Sequence, residues 1–372
     1  MLTDLKNLTR AQLQEYFLGV GLPASRALHV FALVHRPGTR DLSGMGTVNR
    51  EIRSRLAEHA FVSGLEPAKV QRSQDGTVKF AFRLDDGATI ESVLIPAEGR
   101  HTLCISSQAG CAMGCRFCLT AGMGYARNLT PAEIVNQVSA AQRHLILSGV
   151  VRATTRQLID NLVFMGMGEP LANYGNLITA LAILTDDRGL GFSERKITVS
   201  TCGLVPRMHD LGRDTGVNLA VSLHAADDAT RSELMPVNRA HGVDDVLAAC
   251  RSYPLAKRQV IFVEYLLIDG LNDSADDARR LAEKLQGIRC RVNLLPYNAS
   301  PSLPYRCSPP GRIAAFRETL SGAGIRTLIR NSRGADIAAA CGQLVSGGEP
   351  TDAAAEHHDA PHIRLAPSMT AC

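Results

Sequence analysis

The chain opens in helical period. Leu13, Phe17 and Leu18 fall on one face behind Thr9-Arg10-Ala11-Gln12, which reads as a capping box, and Gly19 or Gly21 stops the run. A second helix is expected from Pro23 to His35 and a third from Val48 to His59. The period then changes to two. Val78-Lys-Phe-Ala-Phe-Arg-Leu84 alternates apolar and polar positions, Asp85-Asp86-Gly87 is a hairpin signal, and a returning strand from Ala88 to Ile95 carries Glu91 and stops at Pro96. Thr102 to Ser107 leads into a Gly-rich loop holding several cysteines.

Beyond that loop strands and helices alternate. Strands are expected at Asn161–Met165, Lys196–Thr201, Asn218–Leu223, Val260–Leu267, Arg291–Leu295 and Arg326–Ile329. Helices are expected at Pro131–Leu147, Leu177–Thr185, Leu204–Leu211, Val243–Tyr253, Ala275–Leu285 and Gly311–Leu320. Such alternation predicts an α/β fold with a parallel sheet and crossover helices. The repeats are too few for a closed barrel of the usual kind, so the expected architecture is a partial (β/α)6 barrel with one side open, a shape that suits a macromolecular substrate. The expected division is a helical accessory domain over 1–75, a β-hairpin extension over 76–100, the barrel over 101–345 and a disordered Ala/His/Asp-rich tail over 346–372. In that tail His357, His358 and His362 read as solvated side chains.

Composition narrows the class without naming a function. Hydrophobic content of 45% and charged content of 20% suit a globular protein. No apolar run of roughly 18 residues and no basic-then-apolar leader is present, so a cytoplasmic protein away from membranes is expected. The ten cysteines show no regular framework, which leaves thiols free to act as ligands and nucleophiles. The net charge of +4 understates the body of the chain, because the last 27 residues, with Glu349, Asp352, Glu356 and Asp359 against Arg364, are acidic. Arg26, His29, Arg36, Arg40, Arg50, Arg53 and Arg55 make the N-terminal helices basic. Exposed helix faces would explain this, but so few acids are interleaved that RNA contact is the preferred reading.

Cys111, Cys115 and Cys118 stand in C-x3-C-x2-C spacing with Phe117 between the last two. Three thiolates can hold three irons of a [4Fe-4S] cluster and leave the fourth iron open, and an open position is where metal sites do chemistry. The competing reading is a zinc knuckle with Cys104 as fourth ligand, in a non-catalytic RNA-binding protein. Zinc sites usually pair two short Cys/His hairpins, however, and no second C-x2-C or H-x3-H lies nearby. The spacing resembles that of the radical S-adenosylmethionine (SAM) superfamily, in which the open iron chelates the methionyl amino and carboxylate groups.

Other polar motifs follow the expected strands, where parallel barrels bind ligands. Gly166-Met-Gly168-Glu169-Pro170 offers close backbone approach and a carboxylate for an ammonium group. Ser200-Thr201-Cys202-Gly203 and Ser222-Leu223-His224 offer hydroxyl and imidazole groups, and Asn298 in Pro296-Tyr297-Asn298 suits an adenine or ribose edge. Singly, each motif is more often a strand-to-helix turn or a cap. Cys341, in Ala-Ala-Ala-Cys341-Gly-Gln-Leu344, would by itself read as a buried core thiol, and Glu91 as a solvent-facing strand residue.

Together, from about Leu5 to Leu344, these motifs resemble the RlmN/Cfr family of radical SAM RNA methyltransferases. The resemblance implies one [4Fe-4S] cluster on Cys111, Cys115 and Cys118, and two SAM molecules per turnover. It implies SAM contacts at Gly168, Glu169, Ser200, Ser222, Leu223, His224 and Asn298. It also implies that Cys341 carries the methyl group, that Glu91 accepts a proton, and that Cys104 forms a disulfide with Cys341 to release product. The expected substrates are 23S rRNA in its peptidyl-transferase region and tRNA at the adenine 3′ of the anticodon, methylated at adenine C2. A Cfr-type C8 activity is the alternative. The enzyme is expected to act as a monomer served by an electron donor such as flavodoxin. Two departures stand out: Cys202 replaces the serine expected in S-T-S-G, and Ala121-Gly-Met-Gly-Tyr-Ala-Arg-Asn128 differs from the usual Q-G-F-N-R-N.

Overall fold

The computed structural model describes residues 2–150 and 157–345. The tail expected over 346–372 lies outside the described residues. The chain begins with three helices, α1 (Arg10–Gly19), α2 (Ala24–Val34) and α3 (Arg50–His59). The Thr9 capping box forms: Gln12 N donates to Thr9 Oγ1 at 3.3 Å, and Thr9 N donates to Gln12 Oε1 at 2.9 Å. Leu13 and Phe17 are buried as expected, but Leu18 is 66% exposed, so the apolar face of α1 is narrower than its sequence suggests.

Ten strands follow in one sheet: β1 (Pro67–Arg72), β2 (Val78–Arg83), β3 (Thr89–Ala97), β4 (Arg100–Cys104), β5 (Asn161–Phe164), β6 (Ile197–Thr201), β7 (Asn218–Ser222), β8 (Ile261–Leu267), β9 (Cys290–Pro296) and β10 (Thr327–Ile329). They lie side by side in chain order, with β1 and β10 at the edges. From β1 to β4 the pairing is antiparallel, and from β4 to β10 it is parallel. Crossover helices join the parallel strands: α4 (Pro131–Leu147), α5 (Tyr174–Thr185), α6 (Val205–Asp214), the short α7 (Asp228–Leu234) with α8 (Val243–Ser252), α9 (Ala275–Lys284) and α10 (Pro310–Gly322). This is the open, parallel-rich α/β architecture expected from the sequence.

Three local differences have physical causes. Strand β1 falls where the sequence reading placed the end of the helical segment. Its residues are mostly exposed, so an edge strand beginning at Pro67 shows no alternation to read. Strand β4 turns the sheet from antiparallel to parallel, and only its last two residues are buried, which left little pattern. Pro96 does not end β3; it pairs with His101 near the hairpin, where a missing N–H is tolerated.

The N-terminal helices share one continuous core with the barrel. Buried Lys6 donates from Nζ to Asn136 Oδ1 on α4 at 2.7 Å, and Asn7 Oδ1 accepts from Ala132 N at 2.9 Å, capping that helix. Arg26, His29, Arg36, Arg40, Arg50 and Arg55 are exposed, and Arg53 is half-buried. No described helix is long and apolar enough to cross a membrane.

His35, at the end of α2, is buried edge-on against Phe31 at 4.6 Å. Burial, then the charge of Lys6, pushes its pKa down to about 3. The unfolded chain, titrating near 6.5, takes the proton first, so stability present above about pH 6.5 is lost as pH falls towards 3. Between pH 7 and pH 5 this residue should cost about 2 kcal/mol. Replacing His35 with Phe should narrow the difference in unfolding midpoint between those pH values, measured by calorimetry. An unchanged difference would remove the assignment.

Candidate active site

The cysteine loop is closed at its base by a short antiparallel ribbon, Gln108–Gly110 with Tyr125–Asn128. Cys111 N donates to Gly124 O at 2.8 Å, and Gly110 adopts φ +75° where a Cβ would lie 2.0 Å from that carbonyl. Two further bonds tie the loop to the barrel. Arg116 N donates to Leu234 O at 2.9 Å, at the end of α7, and Leu119 N donates to Gly342 O at 2.8 Å. The loop therefore sits between α7 and the segment that carries Cys341.

Burial pushes the Cys111 thiol up to about 11 and Cys115 higher still. Each is raised further by Cys118 and by Glu169, and Cys115 also by Cys111. Thiols that oppose one another's ionisation are suited to a cation that replaces their protons. Among the described residues no three His, Cys, Asp or Glu side chains converge as ligands of a single ion. A cubane does not require that, because its thiolates bind separate irons. Cys104 is buried and its thiol is also pushed up, by burial and then by Cys341, not by any member of the triad. The donor set fits a three-thiolate cluster, with Cys104 facing elsewhere.

The strand-end motifs gather beside the loop. A Cβ on Gly168 (φ +96°) would lie 2.5 Å from the Gln108 side chain, and one on Gly166 would lie 2.8 Å from the Ile105 backbone. These glycines thus let the turn after β5 pack on the base of the cysteine loop, a reason the sequence did not disclose. Glu169 is buried; its Oε1 accepts from Leu171 N at 3.0 Å and its Oε2 from Cys202 N at 2.8 Å. Burial pushes its pKa up. A carboxylate so placed gains from an arriving ammonium group.

Ser200 and Ser222 are half-buried on β6 and β7, and Leu223 is buried. His224 holds φ +59°, a strained conformation for a non-glycine residue. Its Nδ1 accepts from Leu266 N at 3.0 Å, which leaves the proton on Nε2, and Phe117 of the cysteine loop packs edge-on at 5.0 Å. Burial, then Arg231, pushes its pKa down to about 3, so it is a neutral donor. Asn298 is half-buried and already engaged: its Nδ2 donates to Cys341 O at 3.4 Å, and Ser332 Oγ donates to its Oδ1.

The Cys341 segment is docked over this assembly. Thr120 Oγ1 donates to Leu344 O at 2.6 Å, Val345 N donates to Glu91 Oε2 at 3.0 Å, and Lys79 Nζ donates to Ala338 O at 3.2 Å. Glu91 is not solvent-facing; it is buried and ion-paired with Lys79 at 3.2 Å. Burial pushes the Glu91 pKa up, with Lys79 opposing. Cys341 is reachable by solvent but surrounded by protein, which pushes its thiol up to about 11, with Glu264 and Cys118 adding to the shift. Cys341 is thereby an electrostatic neighbour of both Cys104 and Cys118, although far from each in the chain. The disulfide implied between Cys104 and Cys341 is not formed: both are free thiols.

Two buried groups escaped the sequence reading. Glu264 on β8 accepts from Asn293 Nδ2 at 2.7 Å, and burial pushes its pKa up to about 7. Its charge in the otherwise apolar run Ile261-Phe-Val-Glu-Tyr-Leu-Leu267 was the available signal. Arg231 on α7 is fully buried and had no motif to mark it.

Comparison with known proteins agrees with this geometry. Residues 105–282 match the radical SAM superfamily, and residues 3–62 match the ribosomal RNA large subunit methyltransferase N-terminal domain. The dual-specificity RNA methyltransferase RlmN of Desulfotalea psychrophila is 51% identical over 92% of this chain and 95% of that protein. The RlmN of Anaeromyxobacter sp. (strain Fw109-5) is 47% identical over 94% of this chain and 92% of that protein. A crystal structure of a radical SAM methyltransferase from Sphaerobacter thermophilus superposes with a TM-score of 0.85, at 42% identity, covering 92% of this chain and 98% of that one. With relatives this similar over nearly its whole length and a radical SAM match across its barrel, the chain belongs to the RlmN family of SAM-dependent RNA methyltransferases.

Proposed function

We propose that the protein methylates C2 of adenine in 23S rRNA, in the peptidyl-transferase region, and in tRNA at the adenine 3′ of the anticodon, through a methylated Cys341. The observation that carries this reading is the docking of Cys341 against the cysteine loop, through the 2.8 Å bond from Leu119 N to Gly342 O. Adenine C2 lies between two ring nitrogens and is electron-poor, so it cannot attack a sulfonium as a nucleophile, and a radical route avoids that barrier. Cys111, Cys115 and Cys118 would hold the cluster. When bound, it supplies the electron that cleaves SAM to methionine and a 5′-deoxyadenosyl radical.

The residues divide the remaining work. Glu169 receives the SAM ammonium group, while Gly168, Ser200, Ser222, Leu223, His224 and Asn298 contact the rest of the molecule. Cys341 Sγ gives up its proton and takes a methyl group from a first SAM. Methyl-Cys341 then gives a hydrogen atom to the 5′-deoxyadenosyl radical, its methylene carbon adds to adenine C2, and the adduct sheds one electron, which the oxidised cluster would take up. Glu91, its charge supported by Lys79 at 3.2 Å, accepts the C2 proton. Cys104 Sγ, giving up its proton, finally attacks Cys341 Sγ: the transient S–S bond forms as the S–CH2 bond to adenine breaks, and the leaving carbon takes a proton to become the methyl group of the freed RNA. The exposed arginines of the N-terminal helices engage the RNA backbone. An enzyme with these substrates works in the cytoplasm, as a monomer, with a donor such as flavodoxin reducing the cluster.

Product identity tests this directly. Nucleosides from RNA treated with anaerobically reconstituted protein should contain 2-methyladenosine by mass spectrometry; 8-methyladenosine alone would assign the Cfr-type activity instead. Cys341→Ala should abolish methylation, and Cys104→Ala should accumulate a covalent protein–RNA adduct as a slow band on a denaturing gel. No adduct would count against the resolving role. Glu91→Gln should slow RNA methylation about a hundredfold or more while Cys341 is still methylated, read by mass spectrometry of the protein. Loss of both steps together would mark Glu91 as a tether of the segment and not a proton acceptor.

A further inference from the structure

Arg231 is fully buried, yet all its hydrogen bonds go to neutral oxygens. Nε donates to Leu223 O at 3.0 Å, Nη2 to Cys202 O at 2.6 Å and to Ser222 O at 3.3 Å, and Nη1 to Asn238 Oδ1 at 2.7 Å and to His241 O at 3.3 Å. Three of these carbonyls belong to the ends of β6 and β7. Cys202 is gripped from both sides: its carbonyl by Arg231 and its N–H by Glu169 at 2.8 Å. The same helix, α7, holds the cysteine loop, since Leu234 O accepts from Arg116 N at 2.9 Å. One guanidinium therefore lies between the ammonium acceptor, the Ser222-Leu223-His224 turn and the loop of the three thiols. A buried cation without a carboxylate of its own is costly, and a planar fork that satisfies several carbonyls at once is something lysine cannot reproduce.

We propose that Arg231 is a positioning residue for SAM: its fork draws the ends of β6 and β7 together and, through Cys202, fixes the carboxylate of Glu169. The role rests on the SAM contacts assigned above. Shape and charge can be separated, because Arg231→Lys keeps the charge and loses the fork, whereas Arg231→Met loses both.

The test uses the full chain, reconstituted anaerobically, with iron and sulfide content and the SAM dissociation constant by equilibrium dialysis measured in parallel. Both variants should take up iron and sulfide like the wild type and bind SAM about 10- to 100-fold more weakly, the usual effect of removing a group that orients a ligand-binding residue. SAM binding by Arg231→Lys equal to that of the wild type would overturn the proposal. Wild-type protein that loads its cluster yet fails to bind SAM would overturn the underlying assignment instead. Should neither variant fold, Asn238→Ala, which removes one of the two acceptors of Nη1 together with Asn238's own bonds to Asp228 and Ser232, decides: weaker SAM binding supports the proposal and unchanged binding overturns it.

Discussion

The arrangement depends on a buried ion pair that belongs to no parallel strand. Lys79 on β2 and Glu91 on β3 meet at 3.2 Å with almost no exposure. Lys79 reaches Ala338 O and Glu91 takes Val345 N–H, so the pair grips the chain on both sides of Cys341. Removing one partner of such a pair leaves a buried charge uncompensated, at a cost of about 3–5 kcal/mol. Further out the turn between β1 and β2 repeats the grip: Ser73 Oγ donates to Asp336 Oδ1 at 2.6 Å, and Gly334 N donates to Asp75 Oδ2 at 3.1 Å. The antiparallel extension thus anchors the segment that carries Cys341 from both of its sides.

Around that thiol the barrel gathers groups that its own fold leaves incompletely balanced. Glu169 is a buried carboxylate bonded to backbone N–H groups, Arg231 is a buried cation bonded to carbonyls, and His224 is kept neutral in a strained turn. Structural ion pairs would have been cheaper to build. Groups left in this state are typical of sites that complete their electrostatics with a ligand, and SAM brings both an ammonium and a carboxylate.

The parallel strands and crossover helices were legible because buried strands and amphipathic helices leave strong periodicity, and the Thr9 box because capping has a local code. Strand β1 was not, since an exposed edge has no apolar face, and neither was β4, which changes pairing direction halfway through the sheet. At the site, local motifs marked Cys111, Cys115, Cys118 and Glu169. Cys341, Cys104 and Glu91 were singled out only by family resemblance, because their meaning lies in contacts made across the whole chain. Arg231 stayed hidden for a related reason: each of its partners is a backbone or amide oxygen, and carbonyls leave no trace in a sequence.

The order of the strands has a consequence for how the protein is made. Each strand of the sheet pairs with its neighbour in the chain, so during synthesis the sheet can grow by additions to its newest edge, with little need for distant segments to find one another. The segment from 338 to 345 breaks that rule. It emerges after all ten strands and must travel back to the hairpin and the cysteine loop. Completion of the sheet and docking of this segment are therefore separated in time: a nascent chain can own a finished barrel and still lack the thiol of Cys341 beside it.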